Sequence, residues 1–256
     1  MLDLNPILVL AASLSLIAIS VVISATLRLG FGRSILWASA RAAFQLGAVG
    51  LVLSLILDTA WEGLLAGVWI VGMVGIASWV TAKRAGSQSI VPAAALAIGS
   101  ATGLSLLVIF GFGVLPFEPI QVIVVAGITI GNALTGTVVA ADQVRKQLMD
   151  EPGRVEGLLA LGFDAHQSSM FVVREATRVA LLPQIERTKV VGLVSLPGAM
   201  TGLLLAGVDP LDAVVIQLVV MLLVLGTVAV SATVIAIVTA RAAFTPDQRL
   251  VAGTLS

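Results

Sequence analysis

Apolar residues gather along the chain into seven runs: Ile7–Leu27, Ser34–Leu57, Gly63–Ala82, Ile90–Gly113, Ile120–Ala141, Val190–Gly207 and Ala213–Ala240. At about 1.5 Å per residue, a helix of roughly 20 residues crosses a hydrocarbon core of about 30 Å. Each run therefore reads as a membrane helix. The seventh is longer than a crossing requires and is expected to tilt or protrude. The sixth is the shortest, and it holds "GLVSLPGAMTG" at 192–202, with Pro197 where a plain span would carry leucine. A proline there leaves the Leu193 carbonyl without its helical partner, a gap for the Ser195 hydroxyl or a water to fill. The spacing puts Ser195, Gly198, Gly202 and Ala206 on one small-residue face, as a close interface, a pore lining or a static kink would each tolerate.

Polar positions are confined to short connections, except for the stretch 142–189. Val155, Leu158, Leu159 and Phe163 recur there at helical spacing. "DAHQ" at 164–167 has the form of a helix start: Asp164 can accept an early amide proton and Gln167 can reach back. The pattern predicts two short helices, about 154–162 and 165–182, with Pro183 bending or ending the second.

Charge sets an orientation. All 14 basic residues fall at one end of the runs: Arg28, Arg33, Arg41, Lys83, Arg84, the seven between Arg145 and Lys189, Arg241 and Arg249. The other side carries Asp3, Asp58, Glu62, Glu118, Asp209 and Asp212 instead. The positive-inside rule then places the N-terminus outside and the C-terminus in the cytoplasm. The first run has no basic residue before it and is followed by Arg28, so it reads as a retained span and not a leader. The expectation is an all-α, polytopic membrane protein of seven transmembrane helices, residues 1–256 forming one permease domain with a cytoplasmic loop at 142–189.

Composition agrees: 59% of residues are hydrophobic, 11% are charged and the net charge is zero. There is no cysteine and only one histidine, His166, which belongs to no motif and excludes a site of several imidazoles. None of the lysines follows a glycine, so a phosphate-cradling GxxxxGK[ST] loop is absent and the chain binds no ATP by that route. A Ser/His/Asp set is not available, and no Asp lies mid-span for an aspartyl intramembrane hydrolase. No enzyme activity and no nucleic-acid partner are expected.

The remaining candidates are polar groups at membrane depth. Arg41 and Gln45 stand one turn apart on one helical face, where Arg41 can snorkel to the surface or face a pathway. "GITIGNALTG" places Asn132 and Thr135 together, and an asparagine at that depth needs a helix, water or ligand partner. The pairs Gly63/Gly67, Gly99/Gly103, Gly127/Gly131 and Gly198/Gly202 are expected to mark close packing. In the loop, Glu156 is followed six residues on by Gly162 and later by Leu-Pro at 182–183. That pattern is similar to the coupling loop of ABC importer permeases, and equally to an ordinary interfacial helix. With no thiolate and no membrane imidazole, a transported metal would meet oxygen ligands or methionine sulfur. The outer acids Asp58, Glu62, Glu118, Asp209 and Asp212 are candidates to receive a leaving cation, or are plain solvated loops.

Taken together, Arg41, Gln45, Leu46, Gly131, Asn132, Glu156, Leu159, Leu161, Gly162, Pro183, "GLVSLPG", Met200, Thr201, Gly202, Gly207, Asp209, Pro210 and Gln217 resemble the FetB-like ABC permeases, a bacterial family linked to iron export with plant aluminium-tolerance relatives. The resemblance spans nearly the whole chain. It departs at Ala199, where the family commonly has Met, at Leu203, commonly Gln, and at Leu134, often Met. It implies a bacterial inner-membrane permease working by alternating access, as a homodimer, with a separate cytoplasmic ATPase that holds the ATP and Mg. It also implies ATPase coupling through Glu156, Leu159, Gly162 and Asp164. Substrate passage would involve Arg41, Gln45, Asn132, Thr135, Ser195, Pro197, Gly198, Met200, Thr201 and Gln217. Iron or a related metal is the implied substrate; a small organic or nucleotide-sugar solute, or ATP-independent transport, are the alternatives.

Overall fold

A computed structural model describes residues 6–193 and 195–250, with side chains from residue 11 onward. Asp3 lies outside the described residues, as does Val194. Regular structure among them is helical: nine α-helices, one 3₁₀ turn at Gln88–Ile90 and two isolated β-bridges. Five helices, with the 3₁₀ turn counted as the start of one, are long and apolar enough to cross a bilayer; the first helix is apolar too. The chain divides into two compact units, residues 1–62 and 63–256.

The first unit is a helical hairpin of α1 (Pro6–Thr26) and α2 (Gly32–Leu57). Its turn uses left-handed backbone at Arg28 (φ 51°) and Gly30 (φ 75°). Ser24 fixes that turn: its carbonyl accepts from the Leu29 amide at 2.9 Å and its hydroxyl from the Phe31 amide at 3.1 Å. Among the described side chains of the hairpin only Ser24 and Ile56 are buried within the chain. A hairpin this apolar that buries so little of itself needs lipid or protein around it.

The second unit contains α3 (Glu62–Ala85), α4 (Val91–Gly111), α5 (Pro119–Asp150), α6 (Pro152–Ala160), α7 (Ala165–Val190), α8 (Gly198–Leu205) and α9 (Pro210–Ala242). Helices α4, α5 and α9 each carry proline in the first turn, where its missing N–H costs nothing. Helix α9 packs against α4, α5 and α7. Alanines make that approach close: Ala94, Ala97, Ala140, Ala141 and Ala232 are fully buried. At Gly136 of α5, a Cβ would lie 2.8 Å from the Val228 Cγ1 of α9, so only glycine fits without a shift. Hydroxyl pairs tie the helices, Ser105 to Thr227 at 2.7 Å and Thr81 to Thr137 at 3.4 Å.

Several sequence expectations need correction. The fifth run does not end at Ala141: α5 continues to Asp150, because Val144 and Leu148 bury against α7 and α9. Pro183 does not end the second loop helix: α7 runs through it to Val190, with Pro183 exposed. The paired glycines do not mark close contacts within the chain. Cβ atoms at Gly63, Gly67, Gly103, Gly131, Gly198 and Gly202 would meet nothing within 4 Å, and those at Gly99 and Gly127 only ordinary contacts.

The largest correction concerns Val190–Gly207, which is not a kinked span. Residues 191–193 and 195–197 are irregular and α8 has eight residues, about 12 Å of helix at 1.5 Å per residue. Pro197 is the N-cap of α8, with no helix upstream for it to break. Instead, α7 itself runs antiparallel to α5 and α9. Val172, Val173 and Ala176 pack with Val144, Leu148, Ala236 and Ala240; Ala180 packs with Ala140, Ala141, Ala232 and Ile235. Further along, Gln184 and Arg187 meet Asn132, Val220 and Val224. The end of α7 therefore stands beside the middle of α5 and α9 as a continuous helix, on which Arg187 and Lys189 are exposed.

Candidate functional site

Two concave sites lie at opposite ends of α7. The inner one is a groove of about 710 Å³ between α6 and α7. Its geometry follows from the turn joining the two helices. Gly162 adopts φ 91°, the left-handed conformation that ends a helix. The Gly162 amide donates to the Leu159 carbonyl at 3.0 Å and the Phe163 amide to the Leu158 carbonyl at 3.2 Å, closing the end of α6. One residue on, the Asp164 carboxylate accepts from the Gln167 amide at 2.7 Å and the Gln167 side chain accepts from the Asp164 amide at 3.4 Å. This is the reciprocal cap that "DAHQ" predicts. Val155 is fully buried beneath α6, and the Arg154 guanidinium lies 4.1 Å from the centroid of the Phe171 ring on α7. The four loop candidates thus have clear positions. Glu156 is exposed on α6, Leu159 packs onto the core below, and Gly162 and Asp164 build the turn. His166 lines the groove.

The outer site is a cavity of about 340 Å³ among α5, α7, the 191–197 link, α8 and α9. It brings together Asn132, Ser195, Pro197, Gly198 and Gln217, five residues singled out from the sequence and spread over 86 positions. Gln217 is 5% exposed, and its Oε1 accepts the Met200 amide of α8 at 3.1 Å, which latches the short helix to α9. Asn132 donates from Nδ2 to the Ile128 carbonyl of its own helix at 2.8 Å. The link is shaped by Gly192 at φ 83°, whose amide donates to the Ser195 carbonyl at 3.0 Å. The Thr201 hydroxyl donates to the Pro197 carbonyl at 3.1 Å and strengthens the first turn of α8. Measured along α9, Gln217 lies about 10 Å and Val224 about 20 Å from Pro210 at 1.5 Å per residue.

Other candidates stand apart. Thr135 is exposed on α5 and does not line the cavity. Arg41 and Gln45 belong to α2 of the first unit and are exposed there. The outer acids form no cluster: no three His, Asp or Glu side chains come together anywhere among the described residues. Two of them have local roles. Asp209 caps α9 by accepting the Leu211 amide at 2.9 Å, and Glu118 accepts from Gln121 at 3.4 Å.

Sequence reading missed Gln184 and Arg187. A signal existed: Ala176, Ala180, Gln184, Arg187 and Val191 follow one another at helical spacing, so the buried face of α7 continues into the cavity.

Comparison with known proteins supplies the context for these sites. The model of the uncharacterised protein family UPF0014 matches residues 7–244. The chain is 38% identical over 223 residues to the UPF0014 membrane protein STAR2 of Oryza sativa subsp. japonica, covering 86% of this chain and 77% of that one. It is 33% identical over 245 residues to the probable iron export permease protein FetB of Escherichia coli K12, covering 94% and 93%. It is also 33% identical over 223 residues to the Arabidopsis thaliana protein ALUMINUM SENSITIVE 3, covering 86% and 81%. No solved structure matches.

Proposed function

We propose that this chain, which belongs to the UPF0014 family, is the membrane-spanning subunit of an ATP-driven exporter of iron or a related metal. It is a multi-pass membrane protein. Its setting in this reading is the bacterial inner membrane, with the N-terminus outside and the C-terminus in the cytoplasm. Seven passages then cross the bilayer, the sixth being a composite of the end of α7, the link 191–197 and α8. ATP is bound and hydrolysed by a separate cytoplasmic subunit seated in the α6–α7 groove. Two copies of the chain pair with two such subunits.

The observation that carries this reading is the placement of α7. One helix lines both the groove and the cavity, at Arg174 near its start and Arg187 near its end. A movement imposed at the groove reaches the cavity directly. The broken passage beside it is the kind of discontinuous segment that transport sites use. Alternating access follows if α7 and the link shift against α5 and α9.

The experiment pairs the chain with the single-nucleotide-domain ATPase expected to be encoded beside it. Inverted vesicles holding both should take up iron on ATP addition. Glu156→Lys should reach the membrane in normal amount, yet lose co-purification with the ATPase and at least about tenfold of the ATP-driven flux. Normal co-purification and normal flux in that variant would remove Glu156 from the interface, and equal iron flux without ATP would remove the ATPase altogether.

A further inference from the structure

We propose that the α5–α7–α9 cavity is an anion site, so that the metal exported under the reading above travels inside a negatively charged oxygen-rich complex and not as a bare cation. Among the described residues Arg187 is the only charged side chain lining the cavity, and no carboxylate lines it. Arg187 makes no ion pair among the described residues; its neighbour Glu186 instead holds Lys189 at 2.8 Å. A guanidinium stays charged at any accessible pH, and Arg187, exposed on the open side of the cavity, has no carboxylate beside it in the lining.

The other groups present are donors or neutral. Gln217 is nine-tenths buried with its Oε1 taken by the Met200 amide, which leaves the Nε2 protons as its capacity to donate. Gln184 and Ser195 add an amide and a hydroxyl. Pro197 and Gly198 place the start of α8 at the wall, where the first amides have no partner within the helix. A bare divalent or trivalent cation would meet a fixed positive charge with no carboxylate to offset it. A solute with carboxylate or phosphate oxygens would meet a planar fork of donors suited to bidentate binding. A free oxyanion and one wrapped around a metal present the same oxygen atoms to this lining.

Equilibrium titration of the purified chain in lipid nanodiscs, without ATP or partner, separates these cases. The probes are pyrophosphate, the ferric citrate complex and manganese(II) alone. The wild-type chain should bind one or both anionic probes saturably and manganese(II) not at all. Binding of pyrophosphate identifies a free oxyanion as sufficient; binding of ferric citrate only identifies the chelate. Arg187→Gln should weaken that binding by about tenfold or more, and Arg187→Lys, which keeps the charge but not the planar fork, should fall between that variant and the wild type. Gln184→Glu, which sets a carboxylate one turn from Arg187, should also suppress anion binding and serves if Arg187→Gln does not accumulate. Saturable manganese(II) binding with no anion binding, or equal anion affinity in Arg187→Gln, would overturn the proposal. The transporter reading fails separately: anion binding without any ATP-driven flux would remove that reading and leave the site, whereas wild-type iron flux by Arg187→Gln would do the reverse.

Discussion

Helix α9 and the passage that runs beside it, from the end of α7 to α8, solve the same problem in opposite ways. Over its 33 residues α9 satisfies its backbone internally and buries a long stripe of mainly Ala and Val side chains interspersed with Thr227, Ser231 and Thr239. Its neighbour carries Gln184, Glu186, Arg187 and Lys189 to the same level, then is not helical at the described residues 191–193 and 195–197. Irregular backbone at that depth is tolerated only where protein or a polar cavity satisfies it. The contrast teaches that this bundle has a scaffold side and a working side, and that the two meet at Gln217.

The largest test of that contrast is a proline on each side. Leu225→Pro in the middle of α9 should cost about 3 kcal/mol or more and abolish accumulation of the folded chain. Leu196→Pro in the link, where the amide makes no backbone bond, should accumulate nearly normally. Comparable losses on immunoblots of membranes would erase the distinction. Next comes the junction. Gln217→Leu strips the Met200 amide of its partner and should cost about 1–3 kcal/mol, the range for a buried donor left unpaired. The loss should appear as faster amide exchange in 198–205, with exchange in α9 unchanged; unaltered exchange in α8 would mean that the latch is not what holds it. The smallest effect belongs to the scaffold. Ser105→Ala removes one interhelical hydroxyl bond, but Thr227 keeps its bond to the Leu223 carbonyl at 2.7 Å. A cost of about 0.6 kcal/mol is expected, the usual value for such bonds in membranes. A melting-point loss beyond a few degrees would show that α4 and α9 depend on that pair more than their alanine contacts suggest.

The sequence already marked α1 to α4 within a few residues, because their apolar lengths match a bilayer and their ends fall at charges, prolines or glycines. It also marked the turn at Asp164, because capping chemistry is local. It misled where a helix belongs partly to water and partly to the layer. At Ala141 hydropathy falls, yet α5 continues for nine residues because helical hydrogen bonds are indifferent to the polarity around them and Val144 and Leu148 find a buried face. In α7 the error was larger. Polar residues were assigned to a loop because hydropathy treats them as facing lipid, whereas Gln184 and Arg187 face a cavity. The cavity gathered Asn132, Ser195, Pro197, Gly198 and Gln217 from the sequence list, but Thr135 does not line it, since a residue's depth says nothing about which way its helix turns.

The unbroken course of α7 has a mechanical consequence. From Arg174 to Arg187 the helix covers about 20 Å at 1.5 Å per residue. It is gripped along most of that length by α5 and α9 and clamped at its start by two interlocked caps. In the transport cycle proposed above it is expected to act more as a push-rod than as a spring, passing a load at one end on to the other. Pro183 is the one place where the rod lacks a strut, a single absent backbone bond one residue before Gln184. Whatever compliance the stroke has is concentrated there, immediately below the cavity, where a small change of angle re-aims the guanidinium of Arg187.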